Sequence, residues 1–80
     1  YQNIFDVRSQ FEFNKGNYPN SINMSYSYLL DNNILRNLDK NKKYLLYCTD
    51  GTRSRFAACK MASYGFTDVE YITSEYLNLL

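Results

Sequence analysis

Apolar residues in this chain form short continuous runs, separated by longer segments in which apolar positions recur at helical spacing. Short runs bounded by turn-forming residues are typical of strands, and recurrence every three or four residues is typical of amphipathic helices. The runs predict four strands, at residues 4–7, 21–24, 43–47 and 69–72. The periodic segments predict four helices, at residues 9–15, 27–38, 55–64 and 74–80. The run at 43–47 is nearly all apolar, which indicates a central strand of a parallel sheet.

Polar and turn-forming residues mark the ends of these elements. Ser9 and Glu12 form a Ser-x-x-Glu capping box that starts the first helix, and Gly16 ends it. Pro19 marks the turn into the second strand, and Gly65 ends the third helix. Strands that alternate with helices predict an α/β fold, in which a small parallel sheet is flanked by helices and joined by right-handed crossovers.

The carboxyl end of the third strand carries the residues with the clearest chemical meaning. Cys48 closes this strand, and the polar loop at residues 49–54 leads into the third helix. A helix N-terminus offers unpaired amides and the positive end of a dipole, Gly51 lets the loop curl its amides inward, and Arg53 adds a positive charge. The segment therefore predicts a thiolate that serves as a nucleophile or sulfur carrier. The alternative is that Cys48 is a small buried core residue.

Composition narrows the class of protein. The 80 residues suffice for one domain, and the hydrophobic fraction of 45% includes nine tyrosines. A net charge of +1 gives no electrostatic basis for binding nucleic acid or an anionic membrane, and no apolar stretch approaches the roughly 20 residues that span a bilayer. Because the chain has no histidine and no closely spaced cysteines, we expect neither a metal nor another cofactor.

The two cysteines are predicted to remain unbridged. A disulfide between Cys48 and Cys59 would pull Cys48 out of its pocket, because the predicted third helix places Cys59 nearly two helical turns beyond the loop. Two free thiols favour a reducing compartment, so we expect a cytoplasmic protein. The predicted buried face of the third helix consists of Ala57, Ala58, Met61 and Ala62. Cys59 is next to this face and is expected to be a core residue.

Two blocks of the sequence together resemble the rhodanese-like domain family. Members of this family typically read Tyr-Cys-x-x-Gly-x-Arg-Ser, followed by an Ala-rich helix and Gly-Phe. The matching residues stand in the same order and spacing: Tyr47-Cys48, Gly51, Arg53-Ser54, Ala57-Ala58 and Gly65-Phe66. The upstream block resembles the family's first strand, short helix and Gly-His-Ile-Pro-Gly-Ala segment, and consists of Asp6-Val7-Arg8, Glu12-Phe13, Gly16, Pro19 and Ile22-Asn23.

The chain departs from the family pattern at several points. Asn17 and Tyr18 replace the usual His-Ile, Asn20 replaces the second glycine, and residues 72–75 lack the usual Gly-Gly. The chain begins at Tyr1, just before the first predicted strand, so we expect the leading strand and helix of many such domains to be absent. Residues 1–80 are expected to form one rhodanese-like domain that is trimmed or belongs to a longer protein.

The resemblance implies sulfur transfer. Four residues separate Cys48 from Arg53, as in the sulfurtransferase-type members, whereas the phosphatases and arsenate reductases of the same fold have one more. Cys48 is the expected catalytic residue, which takes a sulfane sulfur from thiosulfate or a persulfide and passes it, as a cysteine persulfide, to cyanide or a thiol. A protein persulfide is the alternative partner. The expected substrate-binding loop consists of Thr49, Asp50, Gly51, Thr52, Arg53 and Ser54.

Other roles and readings stay open. Asp6 and Arg8 are expected to support the strand end rather than touch substrate, and Ser54 is expected to cap the helix. Arg53 either orients the loop, meets an anionic group of the donor, or forms a salt bridge with Asp6 or another carboxylate. The whole domain could instead be a non-enzymatic module that carries sulfur or binds a partner, or a small phosphatase, which the loop length disfavours.

Asp50 argues against efficient use of thiosulfate. Family members that use this dianion often place a basic residue in the loop, whereas Thr49 and Asp50 provide none. A carboxylate at about 6 Å costs a single negative charge roughly 0.7 kcal/mol in water and up to about 2.8 kcal/mol at an effective dielectric of 20. We expect the Asp50 carboxylate to repel a neutral or protein-bound persulfide donor less strongly than it repels thiosulfate.

Overall fold

The computed structural model describes residues 3–49 and 51–73, and within these ranges strands and helices follow each other in an α/β order. The strands are β1 (Asn3–Asp6), β2 (Ile22–Asn23), β3 (Lys43–Cys48) and β4 (Asp68–Thr73). The helices are α1 (Gln10–Lys15), α2 (Tyr26–Leu29), α3 (Asn32–Asn37) and α4 (Thr52–Ser63). The helix predicted at 74–80 lies outside the described residues.

The four strands form one parallel sheet in the order β2-β1-β3-β4, which confirms the predicted fold class. Asp6 is in register with Tyr47, and Cys48 is in register with Thr73. Because every pairing is parallel, the carboxyl ends of the strands meet at one edge of the sheet. This edge brings the end of β1 and the cysteine at the end of β3 together.

The core is built around β3, whose residues Tyr44–Cys48 are all buried. The rings of Phe5 and Phe66 each lie 5.5 Å from the ring of Tyr44, centroid to centroid. Leu46 has no exposed surface, and burying such a side chain contributes about 1.5–3 kcal/mol. Cys48 is therefore the last residue of a strand that is held in place by its packing in the core.

The single helix predicted at 27–38 is wrong. The segment forms two short helices, α2 and α3, with Leu30 and Asp31 between them. The Asp31 side chain accepts a hydrogen bond from the backbone N–H of Asn33 at 2.8 Å, so it caps α3. Leu29 and Leu35 are both fully buried. The apolar spacing rested on Leu30, Ile34, Leu35 and Leu38, of which only Leu35 is fully buried, and it concealed the new helix start at Asp31.

Helix α4 begins at Thr52, earlier than predicted, and its N-cap is Gly51. Ser54 lies in the first turn, so its prediction as the cap is wrong. The buried residues of the helix recur at helical spacing and are Ser54, Ala57, Ala58 and Met61. Cys59 and Ala62 are exposed, against the prediction, because each lies one residue, and so about 100° of helix rotation, beyond a buried position. Within residues 3–49 and 51–73, no helix has the length and apolarity needed to cross a membrane.

Candidate active site

Cys48 lies at the carboxyl edge of the sheet, where its fully buried side chain faces the N-terminus of α4. Its Sγ accepts hydrogen bonds from the backbone N–H of Gly51 at 3.1 Å and of Ser54 at 3.4 Å. The Ser54 hydroxyl lies 3.4 Å from the same sulfur. Amides at a helix N-terminus have no partners within the helix and carry the positive end of its dipole. The arrangement stabilises negative charge on the sulfur.

Gly51 turns the loop so that its amide points at the sulfur. Its φ of 86° lies in the left-handed region, which residues with a side chain rarely adopt. A Cβ at this position would lie 3.1 Å from Cγ2 of Thr73 on β4. The Gly51 carbonyl accepts the N–H of Arg55 at 2.9 Å and so opens α4. Both the backbone angle and the space beside β4 therefore call for glycine here.

Arg53 forms an ion pair with Glu12 of α1. Its Nη1 and Nη2 donate to Oε1 and Oε2 at 3.0 and 3.1 Å, in a forked arrangement. Of the alternatives left open by the sequence, the structure therefore contains a salt bridge to a carboxylate other than Asp6. The hydrogen bond from Arg53 lowers the pKa of Glu12 to about 2. Sequence reasoning found Glu12 in the Ser9 capping box, which is present, and in the upstream block of the family resemblance, but gave it no contact with the loop.

Asp6 and Arg8 form a second ion pair beneath the site, and both side chains are almost fully buried. Arg8 Nε donates to Oδ1 at 2.9 Å and Nη2 donates to Oδ2 at 2.7 Å. Arg8 Nη2 also donates to the carbonyl of Gly16 at 2.6 Å, just past the end of α1. The hydrogen bond to Asp6 raises the pKa of Arg8. The pair ties the end of β1 to the far end of α1.

Tyr47 and Asn23 complete this support, and sequence reasoning gave neither of them a role. The Tyr47 hydroxyl lies 3.0 Å from both the backbone N of Tyr18, which donates to it, and Oγ of Ser21. Burial raises the pKa of Tyr47. The Arg8 guanidinium lies 5.6 Å from the centre of the Tyr47 ring. Asn23 Nδ2 donates to the carbonyls of Asp6 and Arg8 at 3.1 and 3.0 Å.

The remaining predicted loop residues lie at the surface of the site. Thr49 is exposed, and its Oγ1 donates to Glu12 Oε2 at 3.3 Å. Thr52 is also exposed, and Asp50 lies outside the described residues. Of the predicted loop residues, Gly51 and Ser54 therefore contact the sulfur. Thr49 and Arg53 contact Glu12 on the outside of the loop.

A groove of about 520 Å³ adjoins the loop on the side of β4. It is lined by Gly51, Thr52, Arg55, Phe56, Tyr71, Ile72 and Thr73. Cys48 is not among these residues, so the groove contacts the outside of the loop and not the sulfur. In the parts of the chain that the structure describes, no three His, Cys, Asp or Glu side chains are grouped so that they could ligate a metal ion.

Comparison with known proteins assigns the chain to a family. The family model described as rhodanese-like domain matches residues 1–76. The chain belongs to the rhodanese-like domain family. A rhodanese-related protein from Thermoplasma volcanium is 33% identical, with a TM-score of 0.73 over 86% of this rhodanese-like domain and 67% of that chain. A human single-domain sulfurtransferase gives 0.78 over 95% and 80%, and at 22% identity it shows a shared fold.

A curated relative matches most of this chain with a small part of its own length. The tRNA uridine(34) hydroxylase of Aster yellows witches'-broom phytoplasma (strain AYWB) is 34% identical over 70 residues. The match includes 82% of this chain and 23% of the relative. The chain therefore spans about a quarter of the length of this curated relative.

Proposed function

We propose that this rhodanese-like domain is a sulfurtransferase that carries a sulfane sulfur on Cys48. The observation that supports the proposal most directly is the pair of amide donors to the sulfur, from Gly51 at 3.1 Å and Ser54 at 3.4 Å, with the Ser54 hydroxyl also 3.4 Å from it. A thiolate and the terminal sulfur of a persulfide are both anions, so preorganised donors of this kind stabilise the enzyme before and after it is loaded.

The proposed reaction has two displacement steps at sulfur. In the first, the Cys48 thiolate attacks the outer sulfur of the donor and the donor's sulfur–sulfur bond breaks. The leaving group, sulfite from thiosulfate or a thiolate from a persulfide, departs with the electron pair. In the second, cyanide or a thiolate attacks the outer sulfur of the Cys48 persulfide, and thiocyanate or a new persulfide leaves while the Cys48 thiolate is regenerated. The cycle needs a reduced thiol, which a reducing compartment such as the cytoplasm provides.

The charges around the loop favour a persulfide over thiosulfate as the donor. Arg53 is the cation of the family motif, but its charge is paired with Glu12. Asp50 adds a further carboxylate to the loop sequence. A dianionic donor gains little from such a loop, whereas a neutral or protein-bound persulfide does not depend on an unpaired cation.

Mass spectrometry of the protein incubated with thiosulfate or a small persulfide tests the proposal. We expect a gain of about 32 Da on the peptide that contains Cys48, and a reductant should remove it. Cys48→Ser should lose both the adduct and the formation of thiocyanate from cyanide. Cys59→Ala is the matched control, because Cys59 is an exposed thiol on α4, outside the loop that surrounds Cys48, and it should keep both. Thiocyanate formed by Cys48→Ser above the rate without protein would reject the assignment.

A second candidate is a sulfur-carrying or partner-binding module of a longer protein. Its support is the 34% identity to a segment that makes up 23% of a tRNA uridine(34) hydroxylase. Such a module would form the persulfide once but would not turn over with small acceptors. Single-turnover loading followed by a multiple-turnover assay with cyanide and with a small thiol separates the two candidates. Hydrolysis of a chromogenic phosphate ester by Cys48 would instead indicate a phosphatase.

A further inference from the structure

We propose that Glu12 is a positioning residue for the sulfur-transfer loop, and that it holds the loop so that its amides point at Cys48. The inference rests on the proposed function and adds to it a residue from a different helix. Its basis is that the Glu12 carboxylate accepts hydrogen bonds from both arms of the loop. Thr49 Oγ1 donates to Oε2 at 3.3 Å, and Arg53 donates to Oε1 and Oε2 at 3.0 and 3.1 Å.

The carboxylate is itself held in place on α1. The backbone N–H and the hydroxyl of Ser9 donate to Glu12 Oε1 at 3.3 and 3.1 Å, and the Glu12 N–H donates back to Ser9 Oγ. The other end of α1 is fixed by the bond from Arg8 to the carbonyl of Gly16. Because Arg8 is buried against Asp6, α1 is anchored at both ends to the edge of the sheet. Glu12 therefore presents a fixed acceptor to the loop.

Each contact of Glu12 lies one residue away from a group that surrounds the sulfur. Thr49 directly follows Cys48, and Arg53 directly precedes Ser54, whose amide and hydroxyl face Sγ. A displacement of Arg53 thus moves the Ser54 donors. An error of about 1 Å in the placement of groups at a reaction centre can cost on the order of 10²-fold in rate. A contact on the outside of the loop can therefore control the alignment on its inside.

The same contact contributes little to the stability of the whole domain. The side chains of Arg53 and Glu12 are 36% and 32% exposed, and ion pairs this exposed are typically worth no more than about 1 kcal/mol. A merely structural role would therefore produce a small loss of stability and no loss of turnover at 25 °C. A positioning role lowers turnover while the protein remains folded.

A double-mutant cycle on sulfur transfer tests the proposal. We expect Glu12→Gln and Arg53→Gln each to lower kcat by about tenfold or more at unchanged fold, and the double variant to be no slower than the slower single variant, because the pair acts as one unit. Arg53→Lys keeps the charge but loses the fork, so it should also lose activity. A kcat within twofold of the unchanged protein in Glu12→Gln, or losses that multiply in the double variant, would overturn the proposal.

Hydrogen exchange of the Gly51 and Ser54 amides tests positioning without any turnover. We expect Glu12→Gln to speed exchange at these two amides by about tenfold while the β3 amides keep their protection. If the unchanged protein transfers no sulfur, the proposed function fails, but this measurement still decides the role of Glu12. Unchanged exchange at both amides would overturn that role.

Asp68→Asn is the control for the change in charge. Asp68 begins β4 beside Lys43, at the opposite end of the sheet from Cys48 and Thr73. The two ends are five residue steps apart along the strand, which is about 16 Å and beyond the Debye length of about 8 Å at physiological ionic strength. We expect this variant to retain kcat and amide exchange within twofold. An equal loss in Asp68→Asn would attribute the effect of Glu12→Gln to net charge and overturn positioning.

Discussion

Two ion pairs lie near the loop at residues 49–54 that follows Cys48, and they differ more in burial than in geometry. Both join an arginine fork to a carboxylate at 2.7–3.1 Å. The side chains of Asp6 and Arg8 are 0% and 2% exposed, whereas those of Glu12 and Arg53 are about one third exposed. A charge buried without its partner cannot be rehydrated, whereas an exposed one can. Removing one partner should therefore destabilise the fold much more at the buried pair than at the exposed pair.

Removing one charge from the buried pair should give the largest change in stability. We expect Asp6→Asn to lower the free energy of unfolding by about 3–5 kcal/mol, because the Arg8 guanidinium is left buried and unpaired. For a domain of this size the melting temperature should fall by more than about 12 °C. Urea unfolding followed by circular dichroism measures the loss. Replacing both partners, as Asp6→Asn with Arg8→Met, should recover a large part of it, and no recovery would indicate that Arg8 acts through its bond to Gly16.

A smaller loss of stability should follow when the hydroxyl of Tyr47, beside the buried pair, is removed. Tyr47→Phe keeps the ring next to the Arg8 guanidinium but leaves the Tyr18 N–H without its acceptor. We expect a loss of about 1–2 kcal/mol in the free energy of unfolding. Tyr71→Phe is the matched control on the exposed face of β4, where Tyr71 is 46% exposed, and it should change stability by less than about 0.5 kcal/mol. Equal losses in the two variants would show that the buried hydroxyl adds nothing.

The exposed pair should have the smallest effect on stability, and that effect should depend on pH. The pKa of Glu12 is lowered to about 2 from a usual 4.5. Its contribution is therefore fully present above about pH 4.5 and disappears as the pH falls towards 2. We expect Glu12→Gln to cost less than about 1 kcal/mol at pH 7, because the pair is partly exposed to solvent.

Thermal unfolding of both proteins between pH 7 and pH 3 checks this dependence. The difference between them should narrow over that range, and it should also shrink in about 1 M salt, where the Debye length is about 3 Å. A difference that persists undiminished at pH 3 would assign the cost to the lost capping box of Ser9 rather than to the charge.

Local patterns in the sequence predicted the order of the four strands and the position of the loop that follows Cys48. Strands and helices bury apolar residues at different periods, so the alternation was readable. The donors to Cys48 come from Gly51 and Ser54, three and six positions further along, and a motif that short lies within one stretch of chain. The start of a new helix at Asp31 was missed because a cap formed by one side chain competed with an otherwise regular apolar spacing.

Asp6 and Arg8 were predicted to support the strand end, but the supports from Glu12 and the Tyr47 hydroxyl could not be predicted from local patterns. Glu12 meets Arg53 across 41 positions, and the Tyr47 hydroxyl meets the Tyr18 amide across 29. Such contacts follow from the register of the parallel sheet and from the angle of α1, and neither is encoded in the spacing of one segment. The exposure of Cys59 was missed for a related reason, since spacing locates the centre of a buried face but not its edge.

The parallel register also has a kinetic consequence. Phe5 pairs with Leu46, so the sheet closes only when distant parts of the chain meet, and the entropy of closing such loops makes non-local contacts form slowly. Helix α4, with 12 residues, is marginal on its own and depends on packing against that sheet. During synthesis and refolding, Cys48 therefore lacks its burial and its contacts with the Gly51 and Ser54 amides until the sheet closes. The decrease of its reactivity in a stopped-flow labelling experiment would report the final stage of folding, because the folded chain buries this side chain.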